Sequence, residues 1–538
     1  MLDLPELLDR VLQHLDRRNL TRCARVNKQW HALTIPHIWR DLTCLSMGDE
    51  RREAFRKIVL GDYLQEKRYK KRPPQPSTLS KYGHLIRLLP SPADLESALR
   101  SEAFAQRGIK PTAHDLLFHL FKHSSKAQVK SLRYRFKDLE SNKMKSILAF
   151  TLPRLRSLDI QVSLQGTQSE FIKFKNVLDQ CSTTLENLKV DFAMLHADEA
   201  FNMDDEATEN ESICWTSLKE LTLRHDPDTW DAGPVWSWMW KRCGQVEKLC
   251  VRKIDQSTPS FVQAMSVNMP NLKKIMIGEI YTNRYRNLRD VMEDDVVAAL
   301  LSGSRHGWKL IEMQSTAKPG QKSMDALAMH YLGLEEAHIH VNYCLSSHVV
   351  VQVLRSCPHL HTFIYANWSD GSSVVDVKAF IDLDPNTGLL KPWLCEGSLK
   401  ILEVKIAGIP RPDWKGKRVV AEEYPGQGRE IQSQVYDRLG RLTNLEMLGL
   451  GDGYGTFRYD CLEMSLESGL DKLSGLKSLF HLSIEKLAMK IGTQEVQWMV
   501  ENWPKLRFIF GLDVSGREYK AVRWLERNYP KIVVVKEC

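Results

Sequence analysis

The chain has 538 residues, 43% of them hydrophobic and 26% charged, with a formal net charge of +8. That length exceeds one ordinary core, so several domains or a repeat array are expected, and the composition excludes a disordered chain. The mild positive balance does not suggest a dedicated nucleic-acid binder, no run of about 18 apolar residues is available to span a membrane, and the 11 cysteines, scattered without a C-x-x-C pair, suit a reducing compartment.

The first element in chain order is "LPELLDRVLQHL", residues 4–15. Leu4, Leu8, Leu12 and Leu15 make one helical stripe with Leu7 and Val11 beside it, and Pro5 suits a first helical turn. Asp3, Glu6 and Asp9 interrupt the run, unlike a secretory signal. A second run, Leu20, Cys23, Ala24 and Val26, can start from Asp16 as N-cap, and a third holds Trp30, Leu33, Ile38 and Trp39 around a break expected at Pro36. Three helices this short bury too little apolar surface to stand alone, so they need a second surface, either the rest of the chain or another protein.

The series Leu4, Pro5, Leu7 and Leu8, then Leu12 and Leu15, Leu20, Val26 and Trp30, and finally Trp39 and Leu42, resembles the F-box. Asn27 stands where that family often has Cys, and it suits the start of a helix. The resemblance implies docking on a Skp-family adaptor, and through it on cullin and RING subunits. Leu4, Pro5, Leu8, Leu12, Leu15, Leu20, Val26, Trp30 and Trp39 would be buried at that contact. A cap over the following domain is the competing reading of the same residues.

Residues 1–45 are thus the expected F-box and 46–78 a helical, basic, Pro-rich linker. Within the linker, "EKRYKKRPPQPS" from residue 66 reads as a solvated helix end before a stiff spacer, with a nuclear signal at residues 67–72 or a nucleic-acid contact as the alternative. From residue 79 to 538 one strand-like pattern returns: "LRSLDI" from Leu155, "LENLKV" from Leu185, "LKELTL" from Leu218, "VEKLCV" from Val246, "LKKIMI" from Leu272, and on to "LEMLGL" from Leu445, "LFHLSI" from Leu479 and "LRFIFG" from Leu506. Many successive starts lie roughly 26 to 33 residues apart, near the period of repeats that carry a helix in each unit. Helical segments such as "SSHVVVQVLRSC" and "TQEVQWMVENW" fill the intervals, and Pro in "CPHL", "WPKL" and "YPKI" ends them.

This pattern resembles the helix-bearing leucine-rich repeats found behind F-boxes, with "KYGHLIRLL" from Lys81 as the expected first strand. The predicted fold class is α/β: a three-helix F-box followed by an irregular leucine-rich-repeat solenoid, parallel strands on the concave side and helices on the convex side. The Asn or Cys that braces the family's turns is mostly missing. Insertions are expected near residues 197–213, 366–396 and 410–435, and the Trp, Tyr and Arg in the later two are of types that anchor interfaces.

Catalytic patterns are lacking. "GLGDGYG" from Gly449 fails the dinucleotide spacing and reads as a turn, and no P-loop, nucleophile elbow or H-E-x-x-H occurs. His338, His340, Cys344 and His348, with Cys357, His359 and His361 nearby, have the residue types of a zinc site, but alternation with Ile339 turns His338 and His340 toward the surface. No metal or other cofactor is expected. Residues between the apolar strand positions should line the concave face, and Glu220, Arg224, Lys248, Arg252, His338, His340, Glu403, Lys405 and His481 are the candidate substrate contacts. Such a mixed polar face suits a protein or peptide. The expected protein is a non-catalytic substrate receptor of an SCF-type ubiquitin ligase, cytoplasmic or nuclear. The alternative is a leucine-rich-repeat scaffold unconnected with ubiquitination.

Overall fold

The computed structural model describes residues 12, 15, 17–26, 28–40, 112–123, 129–135, 147–149, 151–164, 168–194, 214–225, 238–252, 258–278, 291–341, 345–366, 373–410, 425–451, 461–484, 487, 491–512 and 518–535. The chain divides into two compact units, Met1–Val246 and Glu247–Cys538. The expected linker, residues 46–78, the strand expected from Lys81, the whole insertion at 197–213 and the segment 411–424 lie outside the described residues.

In the first unit α1 (Arg17–Cys23) packs on α2 (Lys28–Arg40). The expected break at Pro36 does not occur, and α2 runs through it. Pro36 is exposed, while Thr34 two residues earlier is fully buried and its hydroxyl donates to the Trp30 carbonyl, so packing outweighs one missing helical hydrogen bond. After α3 (Ala113–His123) come four parallel strands, β1 (Ser131–Arg135), β2 (Ser157–Leu164), β3 (Asn187–Met194) and β4 (Glu220–His225), with α4 (Gln168–Gln180) between β2 and β3. Register aligns Leu158 with Leu188 and Leu221, and Ile160 with Val190 and Leu223, and all six are buried. Each such side chain contributes roughly 2 kcal/mol, but only because the next repeat covers it.

The second unit continues the pattern. Its elements are β5 (Lys248–Val251), α5 (Thr258–Asn268), β6 (Lys274–Ile277), α6 (Asp294–Ser302), β7 (Leu310–Met313), α7 (Gln321–Ala328), β8 (Glu336–Ile339), α8 (Ser347–Ser356) and β9 (Thr362–Tyr365). There follow β10 (Val375–Asp376), α9 (Val377–Ile381), β11 (Ile401–Val404), β12 (Ile406–Ala407), α10 (Pro425–Gly440), β13 (Met447–Gly449), β14 (His481–Ser483), α11 (Thr493–Asn502), β15 (Phe508–Phe510), α12 (Glu518–Asn528) and β16 (Val533–Val535). Strands β5 to β9, β11 and β13 to β16 pair in parallel in that order, while β10 and β12 form a separate parallel pair.

Two main-chain devices recur. At the helix-to-strand turn, the first Leu of the repeat donates its N–H to a carbonyl three or four residues back, as in Leu185 to Cys181, Val246 to Cys243, Leu360 to Cys357, Leu399 to Cys395 and Leu506 to Trp503. At the strand entry, one carbonyl accepts two N–H groups from the next repeat: Lys400 O takes those of Glu446 (2.7 Å) and Met447 (3.0 Å), and Glu446 O takes those of Phe480 and His481. Lys130, Arg156, Glu186, Glu247, Lys273, Lys309, Glu335, His361 and Phe480 do the same in their repeats. Main chain thereby braces the turns where the sequence lacks the family's side-chain ladder.

Side chains brace neighbouring repeats too, and Asp294 is one of them. Its carboxylate accepts the N–H groups of Gly320 (2.6 Å), Lys322 (3.1 Å) and Ser323 (3.0 Å), and the Ser323 hydroxyl, at the start of α7. A Cβ at Gly320 would come within 2.7 Å of that carboxylate, so only glycine fits.

Glu446→Pro removes one of the two donors to Lys400 O. Its expected cost is about 3 kcal/mol in chemical denaturation, whereas Glu446→Ala, which loses only the exposed Lys400 pair, costs under about 1 kcal/mol.

Candidate protein-interaction surfaces

In the front segment the structure sorts the adaptor residues expected from the sequence. Leu12 and Leu20 are 1% and 4% exposed within the chain itself. Leu15 and Trp30 are half-buried, and Val26, in the turn after α1, is 64% exposed. Leu4, Pro5 and Leu8 lie outside the described residues, and Trp39 is placed by its backbone alone, in α2.

The repeats present one sheet face packed beneath helices and one open face. In the first unit the open row Arg133, Asp159, Lys189 and Thr222 is charge-paired, with Asp159 taking Arg133 at 3.2 Å and Lys189 at 2.9 Å. Glu220 is half-buried, and Arg224 is placed by its backbone in β4. In the second unit, Lys248 and Arg252 are half-buried at β5.

Two open rows then cross the second unit's sheet. One runs Lys274, Leu310, Glu336, Thr362, Ile401, Met447, His481, Phe508 and Val533, and the other runs Met276, Glu312, His338, Ile364, Glu403, Gly449, Ser483, Phe510 and Val535. The face is mixed and polar over the early strands; from β11 onward one row is largely apolar, while the other carries Glu403, Gly449 and Ser483 before Phe510 and Val535. His481 lies flat on Phe510, ring centroids 4.6 Å apart and 7° from parallel, and stands 6.2 Å from Phe508, which is 37% exposed. Phe508 and Phe510 were missed among the sequence candidates, although their alternation around Ile509 in "LRFIFG" is the signal that places them on this face.

Around β7 and β8 the face is polar. His338 pairs with Glu312 in register, its Nε2 stands 3.6 Å from Glu336 Oε2, and its ring is edge-on to His340 at 6.3 Å. Gln314, only 3% exposed, donates from Nε2 to a Glu312 carboxylate oxygen. Among the described residues no group of three or more His, Cys, Asp or Glu could hold a metal ion. His348 and His359 are exposed on other elements, and Cys344 lies outside the described residues.

Lys405 corrects the alternation rule. Its side chain is 2% exposed because the chain turns into β12 at that point, and Lys405 O accepts the N–H of Val375 at the start of β10. In the described part of the insertion at 366–396, residues 373–396, the main chain is held by one side chain. Arg438 of α10 donates to the carbonyls of Ile381 (2.7 Å) and Lys391 and to Glu396 Oε1 (3.1 Å), and stacks over Trp393, itself 2% exposed.

Four of the buried thiols are held protonated. Burial pushes Cys181 and Cys395 up to about 12, and raises Cys243 and Cys357 as well, so none supplies a thiolate. The imidazoles move the other way: burial, helped by neighbouring His338, pushes His340 down to about 4, and burial also lowers His330 and His481.

His340 binds its proton in the unfolded chain near pH 6.5 but in the folded chain only near 4, so stability is lost as pH falls through that window, at up to roughly 1.4 kcal/mol per pH unit. Urea unfolding at pH 7.5 and pH 5 is expected to show this loss, and His340→Gln to reduce it.

A family model described as F-box-like matches residues 2–45. No curated protein sequence matches the chain. Among solved structures, an internalin from Listeria monocytogenes is similar at 13% identity and a TM-score of 0.34, covering 67% of this chain and 81% of its own. The complex of Rad7 and Elc1 in yeast contains a chain similar at 11% identity and a TM-score of 0.36, covering 97% of this chain and 98% of its own. At scores this low the parallel register, and not the likeness, establishes the repeat fold. The chain thus carries an F-box-like segment at residues 2–45 ahead of a leucine-rich-repeat array of parallel strands and helices.

Proposed function

We propose that this chain is the substrate-recognition subunit of an SCF-type cullin-RING ubiquitin ligase. One observation carries the reading: an F-box-like segment is joined, in a single chain, to a repeat sheet with a long open face. The F-box-like helices would dock on a Skp-family adaptor, which links to cullin and RING subunits, and the repeats would hold a target protein. The contribution to rate is proximity, because holding a target lysine near a charged conjugating enzyme replaces a bimolecular encounter. Such work belongs in the cytoplasm or nucleus, where thiols stay reduced.

The test is adaptor pull-down with the full chain. Val26→Asp combined with Trp30→Ala changes an exposed and a half-buried residue, and is expected to weaken adaptor binding at least about tenfold while leaving the melting temperature near that of the parent. Substitution of Leu12 or Leu20 would disturb the helices themselves and is a poor probe. A parent chain that fails to retain the adaptor, or a double variant that binds unchanged, overturns the ligase reading and leaves a repeat scaffold.

A further inference from the structure

Resting on the reading of the repeats as a receptor for a protein target, we infer that the open face of the second unit takes one extended segment of that target, with a Lys or Arg side chain seated at Glu312, Gln314 and Glu336 and an aromatic or aliphatic side chain on the His481, Phe508 and Phe510 cluster.

The first seat is built from acceptors. Glu312 and Glu336 are half-buried carboxylates on adjacent strands of the same face. Gln314 is 3% exposed, and its amide is fixed against Glu312 by the Nε2 donor, yet its Oε1 has no hydrogen-bond partner. A buried, unsatisfied carbonyl oxygen beside a carboxylate is costly unless a donor arrives, typically by 1 to 3 kcal/mol. His340 alongside cannot serve as the cation, because burial pushes it down to about 4, and His338 Nε2, 3.6 Å from Glu336 Oε2, makes no hydrogen bond among the described residues. Two carboxylates and an orphan amide oxygen call for a ligand that is all donor and positive, and among side chains only Lys and Arg meet that description.

The second seat is aromatic. His481 stacked on Phe510, with Phe508 beside it and Phe480 at 38% exposure, forms an apolar surface of the kind that anchors a large side chain. Between the seats lie Ile364, Ile401 and Met447, all half-buried. Gly449 keeps this middle stretch low, because a Cβ there would meet Glu403 Cγ at 2.8 Å. From β8 to β15 the strand order is β8, β9, β11, β13, β14, β15, five steps of about 4.8 Å or roughly 24 Å, which an extended chain at about 3.3 Å per residue spans in about seven residues. The recognised segment therefore pairs a basic residue with an aromatic or aliphatic one about seven positions away.

The test uses full-length protein and fluorescein-labelled peptides in fluorescence polarisation. The reference peptide carries Lys and Phe seven positions apart in a Ser/Ala background, and companions vary the spacing or replace Lys by Glu or Phe by Gly. Affinity is expected to peak near a spacing of seven and to fall about tenfold or more with either replacement. Phe508→Ala is expected to erase the preference for Phe but keep that for Lys. Glu336→Lys is expected to reverse the Lys-over-Glu preference, a reversal that misfolding would not produce. Equal binding of all peptides, or preferences unchanged in both variants, overturns the inference. The adaptor variant Val26→Asp with Trp30→Ala is expected to bind peptide normally, so failure of the ligase reading is read separately in the pull-down.

Discussion

The structure depends on a bond that no side chain makes. At most strand entries among the described residues one carbonyl accepts two N–H groups from the following repeat, and the repetition of that bond sets the register of strand on neighbour. Once register is set, every second residue is committed either to the helix-covered core or to the open face, because a slip by one residue would invert the whole strand. The columns of Leu, Ile and Val that run through each unit are the energetic return on that geometry.

Irregular segments are accommodated by polar bolts. Asp294 closes the first turn of α7 by receiving three backbone N–H groups, a favourable place for a negative charge, and its hydrogen bonds hold its carboxyl below the ordinary range. Arg438 does the corresponding work for the insertion at 366–396, gathering two carbonyls and a carboxylate under a Trp ring. A guanidinium suits that position because it offers several donors in fixed directions. The described part of the insertion is thereby tied to the scaffold.

Along the second unit the open face changes character, from carboxylate, amide and imidazole at β7 and β8 to aromatic and aliphatic at β14 to β16. A surface graded in this way distinguishes the two ends of a segment laid across it, which gives orientation as well as affinity.

Periodicity alone determined the class of this protein: the recurring apolar pattern, the Pro-ended helices and the Leu and Trp run of residues 4–42 are local, and each repeat writes its own strand and helix. Composition also told which side of each strand would be buried, since alternation is a property of the strand itself. What only the tertiary structure decided is which residues become neighbours across strands. Phe510 meets His481 through register, and Lys405 is lost from the open face because β10 pairs with β12 beside it. Pro36, a helix breaker by local rule, is carried through α2 because packing around Thr34 outweighs one absent hydrogen bond. Most contacts between repeats join residues 25 or more positions apart, and no pattern within one repeat specifies them.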